Sequence, residues 1–290
     1  MSTLERLPIH PALPNRQLAN GSLNGLHARP LLKWPGGKRF LARELRSLFP
    51  DRYCQYIEPF IGGGAIFFDL MPSSAIVGDA NEDLMECYQA VRSAPDEVHA
   101  RLSRLRNSKE DYYYIRSSKP RTALTRAARL IYLTTLSFNG IYRENQRGEF
   151  NVPYGNRPLR RMPTLVDLKA VSAVLRCARL CAGDFALTTK FARPGDLVYL
   201  DPPYPATSKH SFRKYHRTLF SVTDHERLAL EARRLVELGC HVFVSNADVP
   251  EARKLYSGFK MIRIHRTSII AASSSYRRAV TELVFANGAS

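Results

Sequence analysis

The sequence predicts an α/β fold in which a largely parallel sheet is split by a helical insertion. Three observations predict it. Tyr56-Ile57-Glu58-Pro59-Phe60 reads as a strand and is followed by a glycine loop, Ile61 to Ala65, and an apolar helix opening at Ile66. Strand, glycine loop and helix form the first unit of a nucleotide-binding sheet. The α/β rhythm then stops at about residue 93 and resumes at Ala178-Arg179-Leu180-Cys181. Finally, Leu197 to Leu200 reads as a buried strand that ends abruptly in Asp201-Pro202-Pro203-Tyr204. Proline lacks an N–H and fixes φ, so the strand stops there in a stiff loop at its carboxyl end, where open α/β sheets hold ligands.

The composition suits a globular chain of 290 residues, with room for one large domain or one domain carrying an insertion. Lys and Arg outnumber Asp and Glu by 43 to 26, a formal net charge of +17. That balance suits a polyanionic partner, because basic proteins displace counterions from phosphates. An indiscriminately basic surface would carry the same charge. No amphipathic Lys/Arg helix with an aromatic belt argues for a membrane surface, and no apolar run is long enough to span one. Cys54, Cys87, Cys177, Cys181 and Cys240 are scattered and odd in number, without the spacing of a zinc site. Reduced thiols and no secretory pattern at the N-terminus lead to the expectation of a cytoplasmic protein.

Taken in order, residues 1–30 read as an N-terminal extension. The parallel-sheet domain is expected over 31–92 and 179–290, and the helical insertion over 93–178. Lys33-Trp34-Pro35-Gly36-Gly37-Lys38 holds the only tryptophan and precedes a helix from about Arg39 to Leu48. Its spacing is not that of a Walker A loop. A glycine turn beside a core tryptophan explains it as well as a ligand contact does. The glycines at 62 to 64 let backbone approach a ligand without a Cβ in the way. The second strand, Ala75 to Gly78, ends in Asp79, placed to accept from two ribose hydroxyls, and a helix runs from Asn81 to Val91.

Within the insertion, Arg101, Arg104, Arg106, Lys109, Arg116, Lys119, Arg121, Arg126 and Arg129 stand against Glu110 and Asp111. Such a segment could lie on a phosphate backbone, and a solvated helical face would look similar. Helical periodicity is clear from Ala123 to Leu136. The stretch Phe138-Asn139-Gly140-Ile141-Tyr142-Arg143 to Asn151-Val152-Pro153 follows, with turns at Asn139-Gly140 and Arg147-Gly148. Arg can bond guanine bidentately and Ile can touch a thymine methyl, though an ordinary hairpin also carries turns and charges.

Beyond the insertion, a strand ends near Asp184 and a short helix spans Phe185 to Phe191. Ser211 to Ser221 is a polar, aromatic lid candidate. Thr223 to Leu238 is expected as a helix with Thr223 as N-cap and Glu226 completing a capping box. Cys240 to Val244 alternates as a strand. Phe259 to Arg266 and Val280 to Phe285 suggest a closing hairpin around a basic loop at Ser273 to Arg278.

Asp201 offers a carboxylate, Pro202 and Pro203 offer carbonyls, and Tyr204 offers a flat face. Acceptors converging beside an aromatic plate suit a planar group bearing NH2, such as a nucleobase amine. Bonding both amino hydrogens would release the nitrogen lone pair from conjugation and let it attack an electrophilic carbon.

With these motifs in order, residues 31–286 resemble the Dam-type (α group, D12 class) DNA adenine-N6 methyltransferases. The resemblance rests on the ordered set: Lys33-Trp34-x-Gly36-Gly37-Lys38, Glu58-Pro59-Phe60-x-Gly62-x-Gly64, Asp79-x-Asn81, Phe138-Asn139-Gly140 to Pro153, and Asp201-Pro202-Pro203-Tyr204. It implies a Rossmann-like class I methyltransferase sheet with a helical target-recognition insert. It also implies S-adenosyl-L-methionine as cofactor, duplex DNA as substrate, a monomer in solution and no metal.

By matching position, Trp34, Lys38, Phe60, Gly62, Gly64, Asp79, Asp184 and Asp201 would contact the cofactor. Asp201, Pro202, Pro203 and Tyr204 would be catalytic. Lys33, Phe138, Asn139, Ile141, Arg143, Asn145 and Pro153 would contact DNA, with GATC as the leading target. Phe138 stands where the family usually has tyrosine, Ile141 where it has leucine, and the loop around 268–278 lacks an expected glycine. Two alternatives share these motifs: a methyltransferase for RNA adenine or protein glutamine, and a DNA-binding protein with a decayed site. The sequence leaves open whether the enzyme works alone or beside a restriction endonuclease.

Overall fold

Short apolar runs with alternating faces build the centre of the molecule. The computed structural model describes residues 28–145, 147–157, 159–204, 220–267 and 279–287. Among them, seven strands form one sheet: β1 (Tyr56–Glu58), β2 (Ala75–Asp79), β3 (Ala178–Ala182), β4 (Leu197–Leu200), β5 (His241–Ala247), β6 (Lys260–Thr267) and β7 (Ala279–Ala286). Their order is β3-β2-β1-β4-β5-β7-β6. The first five in that order pair in parallel, and β7 runs antiparallel to both β5 and β6. This is the Rossmann-like sheet expected from the sequence.

The chain leaves β1 toward β2 and β3 on one side and returns to start β4 on the other. The crevice between the carboxyl ends of β1 and β4 is therefore the topological switch point. Alternation divides the strands between two faces. Tyr56, Leu197, Tyr199 and Phe243 face a core shared with α1 (Ala42–Leu48), α2 (Ala65–Leu70) and α3 (Glu82–Ser93). Ile57, Val198, Leu200, Val242 and Val244 pack on the opposite face against α9 (Val222–Glu237) and α10 (Pro250–Leu255). The short α8 (Ala186–Thr189) lies along β1, β2 and β3.

Between α3 and β3 the chain builds α4 (Pro95–Leu102), α5 (Lys109–Ser117), α6 (Ala123–Leu136) and α7 (Leu165–Arg176). Helices α6 and α7 pack along α3 and α4. Tyr112, Ile131 and Leu168 join the same buried cluster as Phe67 and Tyr88, so the inserted helices share their core with the sheet. Several cations of the basic stretch are committed within the protein, Arg101 to Glu97 within α4 among them. Arg126 clasps Glu86, Arg129 donates to the Ile115 and Arg116 carbonyls, and Arg116 donates to the Val152 carbonyl. Arg116, Arg126 and Arg129 brace the insertion.

Several boundaries differ from expectation for local reasons. Strand β1 ends at Glu58, because Pro59 removes the donor that would extend it. Residues 39–41 form a turn before α1. Helix α9 is capped by Ser221 rather than Thr223. The Ser221 Oγ accepts the Asp224 N–H at 3.1 Å, while Asp224 Oδ2 accepts from the Ser221 N–H and hydroxyl. Two box patterns overlap in the sequence, and the upstream one, Ser221 with Asp224, forms and starts the helix earlier. The lid candidate up to residue 219, the Ser273–Arg278 loop and residues 1–27 lie outside the described residues.

Candidate active site

The glycine loop after β1 is shaped by positive φ at Gly62 (48°) and Gly64 (70°). A Cβ on Gly62 would stand 2.9 Å from Trp34 Cδ1, so the indole lies directly on the loop. Tyr88 donates its hydroxyl hydrogen to the Gly62 carbonyl at 2.7 Å. Asp79, at the tip of β2, accepts the Gly62 amide on Oδ2 and the Asn81 amide on Oδ1, both at 2.9 Å. Burial raises the Asp79 carboxyl above its ordinary range while these amides oppose the rise. A carboxylate has about four lone-pair sites, so capacity remains for further donors.

Gly64 yields a stability prediction. A Cβ there would sit 2.6 Å from Phe68 Cε2, in a ring that is itself buried. Gly64→Ala is expected to lose roughly 1–3 kcal/mol of unfolding free energy, read by urea titration. An unchanged midpoint would show that the loop is not held as described.

Asp201 follows β4 directly. Lys38 Nζ stands 3.1 Å from its Oδ1 as an ion pair, and Oδ1, though buried, accepts no aligned hydrogen bond. Burial pushes the Asp201 carboxyl up to about 6, against the pull of Lys38. Beside it, Glu58 is buried, accepts the Tyr56 hydroxyl at 3.0 Å, and is raised well above the carboxylate range chiefly by burial. Lys38 also reaches the Gly36 carbonyl and Glu282, and lies 4.3 Å from the centre of the Tyr204 ring.

Phe60 packs against Phe185 and Phe220, with ring centres 5.8 and 5.7 Å apart. Asp184 sits nearby at the rim: the Gly183 amide bonds the Asp79 carbonyl, and the Asp184 carboxylate is held by Arg227 of α9.

A second group of side chains forms a basic face. Lys33 lies against Gly140, where a Cβ would meet the Lys33 Cδ at 2.2 Å. Burial, then Arg160, Arg157 and Arg39, lowers the Lys33 ammonium below lysine's ordinary range. Phe138 and Ile141 are exposed, and Arg157 donates to the Asn139 side chain. Trp34 stacks on Tyr142 with ring centres 4.4 Å apart, so the glycine loop and this face share one joint.

Arg143 donates its Nε to Asn151 Oδ1 at 2.7 Å. Pro153 contributes its carbonyl to the Phe138 amide. The Asn145 side-chain oxygen accepts the Arg147 and Glu149 amides, which makes it the brace of the hairpin turn.

Tyr142, Arg157, Arg160 and Glu282 also join these groups, and no sequence motif gave any of them a role. Glu282 left a trace: an acid inside the apolar run Val280 to Phe285.

Comparison with known proteins adds to this geometry. The family model described as D12 class N6 adenine-specific DNA methyltransferase matches residues 34–270. The chain is 36% identical to the Type II methyltransferase M1.LlaDCHI of Lactococcus lactis subsp. cremoris, over 91% of this chain and 97% of that protein. It is 33% identical to the Type II methyltransferase M.MjaIII of Methanocaldococcus jannaschii, over 90% of this chain and 100% of the relative. It is 32% identical to the DNA adenine methylase of Escherichia coli K12, over 88% and 94% of the two chains. Among the described residues no helix is long and apolar enough to cross a membrane.

Proposed function

The chain belongs to the D12 class N6 adenine-specific DNA methyltransferases, and on that premise we propose that it methylates adenine N6 within GATC in duplex DNA, using S-adenosylmethionine. The single observation that carries the reading is Asp201. It is a buried carboxylate whose Oδ1 accepts no aligned hydrogen bond, at the switch point of the sheet and next to a proline carbonyl and an aromatic ring.

The residues present fit the cofactor. The glycine loop leaves space that a Cβ would close, Trp34 and Phe60 supply apolar walls, and Asp79 keeps acceptor capacity. On this reading Trp34, Lys38, Phe60, Gly62, Gly64, Asp79, Asp184 and Asp201 hold it. When bound, it supplies an electrophilic methyl on a positively charged sulfur.

The protein's own groups do the rest by positioning and electrostatics. The target adenine leaves the duplex stack to reach the crevice, as a base buried in a helix must. Tyr204 stacks on it. Asp201 Oδ1 and the Pro202 carbonyl each accept one amino hydrogen, which draws the nitrogen lone pair toward attack. Asp201, with its carboxyl near 6, then takes the proton the nitrogen loses.

The inserted helices and the 138–153 hairpin form the target-recognition part on this proposal. Lys33, Asn139 and Arg143 supply donors, Phe138 and Ile141 supply apolar contacts, and Asn145 and Pro153 hold the hairpin's shape. Incubating unmethylated plasmid with the protein and S-adenosylmethionine, then mapping N6-methyladenine by single-molecule sequencing, tests the whole reading. The expected result is modification confined to GATC. Modification at another motif would keep the chemistry and overturn the recognition assignment, and modified RNA or protein with unmodified DNA would overturn the substrate.

A further inference from the structure

Glu282 lies in β7, remote in sequence from every motif that carries the proposed chemistry, yet its side chain is only 4% exposed. Its Oε2 accepts the Tyr204 hydroxyl at 3.1 Å and stands 3.5 Å from Lys38 Nζ. The same ammonium is 3.1 Å from Asp201 Oδ1, bonds the Gly36 carbonyl at 3.2 Å, and faces the Tyr204 ring. A buried carboxylate in an apolar strand costs stability unless it is paired and hydrogen-bonded. Here both partners belong to the proposed site.

We propose that Glu282 is a positioning residue for the Asp201–Tyr204 loop, anchoring the Tyr204 ring through its hydroxyl and sharing the charge of Lys38 with Asp201. The inference rests on the functional reading above and deepens it. Without Glu282, Lys38 would be drawn wholly to Asp201 and would compete with a substrate amine for Oδ1. Without the anchor, the Tyr204 ring would lose the tie that holds it over the crevice.

The groups that face Asp201 are Lys38 before α1, Glu58 on β1, Tyr199 on β4, Tyr204, and Glu282 on β7. Burial, and after it Glu282, push the Asp201 carboxyl up, while Lys38 and the Tyr204 hydroxyl pull it down. Removing the Glu282 charge therefore moves Asp201 toward lower pH.

The test compares Glu282→Gln, Glu282→Ala and Tyr204→Phe with wild type, in methyl transfer to duplex DNA across pH and in urea unfolding. Glutamine keeps an acceptor for Tyr204 but removes the charge. Glu282→Gln is expected to lower kcat about 10-fold with KM for DNA little changed, and to shift the acid limb of kcat to lower pH. Glu282→Ala is expected to lose more, because the anchor goes too. Tyr204→Phe removes a hydroxyl that pulls the Asp201 carboxyl down, so its limb is expected to move the opposite way, to higher pH.

A double-mutant cycle between Glu282→Ala and Tyr204→Phe is expected to show coupling in unfolding free energy. A wild-type pH profile and kcat in Glu282→Gln would overturn the positioning role. Additive unfolding free energies would overturn the anchor, whether or not DNA is the substrate. Failure of the functional reading shows separately, as wild-type protein that transfers no methyl to adenine.

Discussion

Replacing Asp201 by alanine is expected to lower kcat for methyl transfer about 10³-fold or more while leaving the protein folded. On the proposed mechanism the magnitude follows from removing an acceptor aimed at charge that develops only in the transition state. The folded state tolerates the loss because Asp201 is not there for stability. Burial raises its carboxyl from an ordinary 3.8 to about 6, so keeping it ionised above pH 6 opposes folding by about 3 kcal/mol. Below the unfolded value the group is protonated in both states and that cost vanishes.

Asp201→Asn removes the ionisation and keeps the shape. Its unfolding free energy is therefore expected to exceed that of wild type at pH 8, with the gap closing as pH falls through 6 toward 4. In wild type, kcat is expected to fall as pH drops through about 6, because the protonated carboxyl no longer accepts the amino hydrogen. Single-turnover rates and urea titrations across pH check both. A variant as active as wild type would remove Asp201 from the chemistry, and a wild-type protein more stable than Asp201→Asn at pH 8 would contradict the desolvation argument.

The contrast between Asp201 and Glu282 shows what the sequence can carry. Asp201 was legible because its neighbours act locally: four apolar residues set the strand, and two prolines stop it at a place the fold uses for ligands. The glycine loop and Asp79 were legible for the same reason. Glu282 reaches the site 78 residues beyond Tyr204, because β7 inserts antiparallel between β5 and β6. No local pattern encodes that insertion.

The basic stretch at 101–130 was legible as charge but not as structure. Arg129 turns inward onto the Ile115 and Arg116 carbonyls at the end of α5, and Arg116 onto the Val152 carbonyl, partners that no local pattern names. The stack of Trp34 on Tyr142 likewise joins residues from two separate motifs. Helix α9 shows the limit on boundaries: Ser221-x-x-Asp224 and Thr223-x-x-Glu226 are both admissible boxes, and only the folded backbone chooses.

Arg143→Ala is expected to lower kcat/KM on a GATC duplex about 10²-fold and to narrow the gap between GATC and sites differing by one base pair. A bidentate arginine–guanine contact is worth about 1–3 kcal/mol of discrimination, and on the proposed recognition its loss would leave the guanine edge without its donor pair. Asn151 sets the plane of that guanidinium through the bond at 2.7 Å to Nε, so Asn151→Ala is expected to show the same direction at smaller size. Arg157 serves as the contrast. It sits on the same basic face beside Lys33 and Asn139, where its charge favours phosphate. Arg157→Ala is expected to weaken binding to all duplexes alike and to make binding less steep in salt, without changing which motif is methylated. Steady-state kinetics on matched and single-mismatch duplexes at two salt concentrations separate the two behaviours. If Arg143→Ala slows every duplex equally, Arg143 contacts the backbone rather than a base, and the recognition proposed for the 138–153 hairpin fails at that residue.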